Sequence, residues 1–182
     1  MRLKAMAKIN LGLDVLGKRE DGYHEVRMIM QTIRMYDILD IRKTRRPGIV
    51  LTTNLPFIPT DQRNLVYKAA QMLMEEFDVE EGLSIKLRKF IPVAAGMAGG
   101  SSDAAAPFVG VNRMFHLGLT EEQLMERAVK VGADVPYCIM RGTALAEGIG
   151  EKLTRLPEVP KCYVLIGKPG INVSTKTAYE NL

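Results

Sequence analysis

One segment constrains this chain more than any other. Residues 92–106 read Pro-Val-Ala-Ala-Gly-Met-Ala-Gly-Gly-Ser-Ser-Asp-Ala-Ala-Ala. Just before it, residues 83–90 (LSIKLRKF) alternate apolar and polar in the period of a strand. Just after it, a helix is expected from Ser101 or Ser102 to about Phe115. A loop of small residues lets the backbone approach a ligand closely and take positive φ. Successive N–H groups then form a concavity for an anion, and the following helix points its positive end at the same place. Ser101 and Ser102 can cap that helix or offer hydroxyls to phosphate. The plainer alternative is a tight strand-to-helix turn with a serine cap. No Gly-Lys-Ser/Thr follows, so this is not a Walker A loop, and G-x-G-x-x-G is absent, so it is not a dinucleotide fingerprint. Pro107 obstructs a regular helix at a cost of roughly 3 kcal/mol, which calls for a late start or a kink after the first turn.

The flanking pattern gives the fold class. Residues 3–16 alternate as a strand, 17–23 (GKREDGY) form a hairpin loop, and 24–35 form the partner strand. Further strands are expected at 37–43 and 49–53. Asn64 opens a helix carrying Leu65, Ala69 and Leu73 on one face. Thr120 and Gln123 make a capping box for a helix running to about Val131. Residues 135–146 read as a strand and 162–167 as a buried strand. Strands come first and helices later, so the class is α+β rather than a doubly wound parallel sheet. Leu156 to Lys161 is the one linker-like stretch, which divides the chain at about residue 158 into a main domain and the beginning of a second, 159–182.

Several functional classes lose support. There is no apolar run of about 18 residues for a membrane span, and the N-terminus reads as a strand rather than a signal peptide. Cytoplasmic placement is the expectation. Cys138 and Cys162 are not spaced as a metal pair and are expected as buried free thiols, and the sequence has two histidines in all, too few for a His-based metal site. The net charge of +4 is mild and compatible with a polyanionic small ligand.

Two charged residues stand where chemistry could use them. Lys8 lies on the first strand among apolar neighbours, and reads either as a solvent-facing lysine or as a cation in a cleft. Asp134, in Gly-Ala-Asp-Val-Pro, reads either as a turn aspartate or as a base taking a hydroxyl proton while a phosphoryl group is transferred. Tyr23-His24, at the exit of the hairpin loop, is a surface pair or an aromatic and imidazole set against a base.

These pieces together resemble the GHMP kinase superfamily: Ala7-Lys8-Ile9-Asn10-Leu11, Asp21-Gly22-Tyr23-His24, Asn64-Leu65-Val66, the 92–106 loop, Gly132 to Pro136, and Pro169-Gly170 with Val173-Ser174-Thr175 and Ala178-Tyr179. The hairpin, the Gly-Ala-Asp-Val-Pro segment and the terminal segment are similar to those members that phosphorylate the 2-hydroxyl of a diphosphocytidyl-methylerythritol in non-mevalonate isoprenoid synthesis. The resemblance implies a first lobe built on a ribosomal-protein-like mixed sheet with helices, then the start of a ferredoxin-like lobe. It implies ATP and Mg²⁺, with the Ser101 and Ser102 hydroxyls as the candidate contacts near the metal. It casts Asp134 as base and Lys8 as its stabilising partner. It casts Lys89, Asn64, Pro92, Ala94, Gly96, Met97, Ala98, Gly99, Gly100, Ser101 and Ser102 as the ATP site. Asn10, Tyr23, His24, Asp134 and Tyr179 would hold the cytidine-diphosphate substrate. The superfamily's Gly-Ser-rich third motif is missing, so the second lobe is expected to be incomplete and activity of the chain alone is open.

Three alternatives remain at this stage. One is a sibling kinase of mevalonate-like or homoserine-like alcohols. Another is a nucleic-acid module using the basic run Arg42 to Arg46, although a solvated turn explains that run and no nucleic-acid or membrane partner is expected. The third is a chain that self-associates through residues 163–166. Oligomeric state is not legible in the sequence.

Overall fold

The computed structural model of the chain describes residues 1–168 and 170. The alternating N-terminal residues form a long antiparallel ribbon of β1 (Arg2–Lys18) and β2 (His24–Thr44). The two strands expected at 24–35 and 37–43 are one, because Tyr36 and Asp37 stay paired with Met6 and Ala5. The irregularity between them is absorbed as a bulge, with residues 33–35 of β2 facing Ala7 alone.

After β3 (Ile49–Thr53), α1 (Leu65–Glu76) and β4 (Gly82–Arg88), the chain passes through the glycine loop into α2 (Gly99–Met114), then α3 (Glu121–Ala128), α4 (Val135–Met140), β5 (Thr143–Gly148) and β6 (Lys152–Arg155). Residues 38–44 of β2 pair with β4, which takes β3 as a parallel neighbour, and residues 26–31 pair with β5, followed by β6. β1 occupies the other edge of β2. The result is an α+β arrangement of a mixed six-stranded sheet with helices against it.

Period two puts Leu39, Ile41, Leu83, Ile85 and Leu87 on the face that the helices cover, where they meet Val66, Leu73, Phe108 and Val111. Each such side chain contributes about 1.5–3 kcal/mol by leaving water. α2 lies close on this face: a Cβ on Gly110 would sit 2.9 Å from Ile41 Cδ1 and 3.1 Å from Leu3 Cδ1.

Four expectations are corrected here. α2 starts at Gly99, two residues or more before the serines, and runs unbroken through the buried Pro107. The proline removes the N–H that would bond the Asp103 carbonyl, a cost the helix carries in its interior rather than avoiding. Residues 135–146 are a short helix followed by a strand. A brief apolar run does not distinguish the two by period, and Pro136 sits in the first helical turn, where proline is tolerated. The capping box at Thr120 and Gln123 forms as expected, but α3 ends at Ala128. Residues 162–167 form no strand; Tyr163, Leu165 and Cys162 are exposed, which leaves Cys138 as the buried thiol. β6 was not anticipated, since Lys-Leu-Thr-Arg is too short and polar to read as one. Tyr179 lies outside the described residues. Among the described residues no helix is long and apolar enough to cross a membrane.

Candidate functional site

The bulge in β2 prepares a seat for the glycine loop. It brings Ile33 and Met35 against Ala7, Ile91, Met97 and Ala95, a small apolar cluster separate from the main core. Met97 is buried there, and its carbonyl accepts the Lys8 N–H at 3.1 Å. The loop is thereby bonded to the edge of β1 at the residue that carries the candidate cation.

Left-handed turns shape the loop: φ is +54° at Ala94, +69° at Gly96 and +51° at Ala98. Ala98 is the N-cap of α2, and no side chain caps the helix. The first-turn amides of Gly99, Gly100 and Ser101 have no partner within the helix, and around Gly96 there is open space where a Cβ would point. Gly100 is exposed. These are the features of an anion cradle at a helix N-terminus. Ser102 is not a cap; its Oγ donates to the Met6 carbonyl at 2.5 Å and ties α2 to β1 beside Lys8.

Lys8 is 5 % exposed, and its Nζ donates to Asn10 Oδ1 at 2.9 Å and lies 3.7 Å from Asp134 Oδ2. A side chain left on the surface would be explained as a solvated strand lysine; one this buried, and aimed at a carboxylate, is not. Asp134 occupies the N-cap position of α4 yet makes no capping bond, so its carboxylate is not spent on helix amides. About a third of that side chain remains open to solvent. The turn between β5 and β6 reaches Asp134: a Cβ on Gly150 would come within 2.9 Å of Met28 Cε and 3.9 Å of Asp134 Oδ1, and its φ is +110°. Tyr137 holds α4 in place, donating to the Gly142 carbonyl at 2.7 Å and sharing a 3.0 Å bond with Thr32 Oγ1, opposite Lys8 in the ribbon. Burial pushes the Tyr137 hydroxyl up to about 12. Cys138, one turn beyond Asp134, is raised by burial and by that carboxylate, so it stays a thiol and is no nucleophile.

Asn64 caps α1 through Val66 N at 2.9 Å and donates to the Pro59 carbonyl at 2.7 Å, so its polar atoms are committed to local structure. A groove of about 460 Å³ lined by Thr52, Pro56, Ile58 and Pro59 opens beside it. Lys89 is buried and paired with Asp37 and Asp103. Pro92 and Ala94 lie exposed at the start of the loop. The structure thus brings Lys8, Asn10, Asp134 and residues 97–102 together. Tyr23 and His24 stand apart at the ribbon's far end, where His24 pairs with Lys18 and Tyr23 is exposed. Register shifts at Asn10/Gly12 and Val15/Gly17 interrupt the ribbon in between. Asp37, Asp103, Thr32, Tyr137 and Gly150 escaped the sequence reading. Only Gly150 left a signal, as the second glycine of a Gly-Ile-Gly turn. Among the described residues no three His, Cys, Asp or Glu side chains gather as a metal site.

Comparison with known proteins places the chain among relatives of one fold. Residues 64–142 match the GHMP kinases N terminal domain. The chain is 57 % identical over all 182 residues to a protein named 4-diphosphocytidyl-2-C-methyl-D-erythritol kinase from Lachnospira eligens, and it spans 63 % of that relative's length. A crystal structure of 4-(cytidine 5'-diphospho)-2C-methyl-D-erythritol kinase superposes with TM-score 0.75 at 35 % identity, over 86 % of this chain and 55 % of that one. Homoserine kinase from Cytophaga hutchinsonii superposes with TM-score 0.70 at 18 % identity, over 98 % of this chain and 59 % of that one, a likeness of fold alone.

Proposed function

We propose that the chain is part of a GHMP kinase and supplies the nucleotide-binding lobe and the catalytic pair of an ATP-dependent enzyme acting on the 2-hydroxyl of 4-diphosphocytidyl-2-C-methyl-D-erythritol. One observation carries the reading: the Lys8 N–H bonds the loop at Met97 while its Nζ faces Asp134. The phosphate cradle and the acid–base pair are therefore parts of a single site.

In this reading the triphosphate lies across the uncapped amides of Gly99, Gly100 and Ser101, with the purine in the groove beside Asn64. Asp134 accepts the hydroxyl proton as the alcohol oxygen attacks the γ-phosphorus and ADP leaves. Lys8 holds the Asp134 carboxylate in place and offsets charge on the transferring group. Asn10 fixes the Lys8 ammonium. Mg²⁺ would arrive with the triphosphate, held chiefly by phosphate oxygens and water, and would neutralise charge on the phosphates. Tyr23 and His24 would receive the cytosine through stacking and hydrogen bonding. The high identity to the L. eligens relative favours this substrate over mevalonate or homoserine, whose kinases share the fold. A melting panel of the chain with Mg-ADP, cytidine diphosphate, mevalonate and homoserine tests it. Stabilisation by the first two alone is expected; a shift with homoserine or mevalonate but not cytidine diphosphate would reassign the substrate.

A further inference from the structure

A second charged cluster lies directly beneath the cradle, and the reaction does not use it. Asp37 of β2, Lys89 just past β4, and Asp103 of α2 are all buried, none more than 8 % exposed. Lys89 Nζ donates to Asp37 and, at 2.6 Å, to Asp103 Oδ2. The other Asp37 oxygen accepts the N–H groups of Phe90 at 2.5 Å and Ile91 at 2.8 Å. These are the residues that lead into the loop. At the loop's exit, a Cβ on Gly99 would lie 3.2 Å from Lys89 Nζ and 3.1 Å from Ile91 Cγ2. The ammonium therefore sits under the first residue of α2, with Asp103 one turn further along the same helix.

We propose that Lys89 is a positioning residue: clamped between Asp37 and Asp103, it fixes both ends of the glycine loop and does not itself bind nucleotide. The inference rests on the kinase reading of the site. Lys89 has two of its three donors engaged and its side chain is 5 % exposed, so a ligand would have to break a buried ion pair to reach it. The arrangement also explains why residue 99 is glycine: a methyl there would press on the clamp and on Ile91. Asp103 Oδ1 has no partner. Burial raises this carboxyl to about 8, against the opposing pull of Lys89. Burial thus favours the neutral form of this carboxyl beneath the cradle.

The test breaks the clamp from the side away from the lysine. In the full-length protein, Asp103→Leu, Asp103→Asn, Lys89→Met and Gly99→Ala are compared for KM of ATP, KM of the alcohol and kcat, with Mg-ADP affinity measured by calorimetry. Positioning predicts that Asp103→Leu weakens ATP about tenfold or more through misplacement of the loop, with the alcohol KM little changed. Asp103→Asn, which keeps an oxygen for Lys89, restores most of the loss. The Lys89→Met and Asp103→Leu effects do not add. Gly99→Ala repeats the ATP defect without removing any charged residue, and serves if Lys89→Met fails to fold. If Lys89 instead binds nucleotide, releasing it in Asp103→Leu leaves ATP affinity equal or higher, which overturns the proposal. A wild-type protein that binds no nucleotide overturns the kinase reading itself, and the proposal with it.

Discussion

The two ends of the β1–β2 ribbon are built on opposite principles. At the Lys8 end, Lys8 is buried, Asp134 is half-buried, and each part is held by its surroundings: Lys8 by the loop and Asn10, Asp134 by α4 with Tyr137, the loop by Asp37 and the bulge. At the hairpin end, Tyr23 and Leu16 are exposed, and the turn is fastened by ion pairs of Arg19 with Asp21 and Glu25 in solvent. Exposed pairs of this kind contribute about 0–1 kcal/mol. Transfer chemistry needs its charges preorganised away from water. Recognition of a base needs only a flat surface and a partner, and can be finished by other parts of the site. On the proposed function, the contrast assigns rate to the Lys8 end and substrate choice to the hairpin end.

Asp134→Asn should therefore have the largest effect. Losing the base lowers kcat by about 10²–10⁴-fold, with both KM values near wild type and melting little changed, since the carboxylate makes no capping bond. Steady-state rates of the full-length protein check it; rapid turnover by the variant would move the base elsewhere. The next contrast is electrostatic. Folded Asp103 keeps its proton to about pH 8, whereas the unfolded chain releases it near pH 4. Between those values the native state binds more protons, so this group's contribution to stability is complete below about pH 4 and is lost as pH rises to about 8. The charged groups facing it are Lys89 and Asp37. Melting measured from pH 5 to 8.5 should show the decline, and Asp103→Asn should flatten it. Asp21 in the hairpin is shifted the opposite way, lowered by the Tyr23 N–H, but it is fully exposed, so Asp21→Asn should leave the profile unaltered.

A smaller and more selective effect belongs to Tyr23. Removal of one stacking aromatic costs about 1–3 kcal/mol per base, so Tyr23→Ala should raise the KM of the cytidine substrate about 5- to 150-fold on that scale. The KM of ATP and the melting temperature should stay put, because the ring is exposed. Equal losses for both substrates would show that the hairpin supports the loop, and the division between the two ends would fall.

The sequence made the residues of the Lys8 end legible and their support illegible. Gly-rich loop, strand lysine and turn aspartate are local signals. Asp37 and Asp103 were invisible because each looks like an ordinary residue of its element, and only the tertiary meeting at Lys89 gives them a role. The helix at 135–140 was misread for a related reason: six buried apolar residues carry no period. The start of α2 was misplaced because serines are common caps, whereas here a left-handed alanine ends the loop and Ser102 is drawn off to Met6. The hairpin was readable nearly to the residue, since Asp21-Gly22 specifies a turn without help from the rest of the fold.

The smallest expected effect bears on what rigidity at the Lys8 end costs. Ala94 and Ala98 both hold left-handed φ, where a Cβ crowds the backbone by roughly 1–2 kcal/mol. Ala94 is exposed, so Ala94→Gly loses no packing. It relieves that strain against about 0.4–1 kcal/mol of added unfolded-state entropy. A net gain of about 0.5 kcal/mol follows, or roughly 1–2 °C in melting temperature for a chain of this size. Ala98→Gly should gain less, because its half-buried methyl packs on the main core. The hairpin supplies the control from the other direction: Gly22 has φ +84° and open space about its Cα, so Gly22→Ala should lose stability through backbone strain alone. If Ala94→Gly melts lower than wild type while Gly22→Ala behaves as expected, the Ala94 methyl is itself part of the loop's seat. The left-handed alanines would then be a structural requirement of the cradle, and the strain they carry would be offset by contacts the hairpin has no need to make.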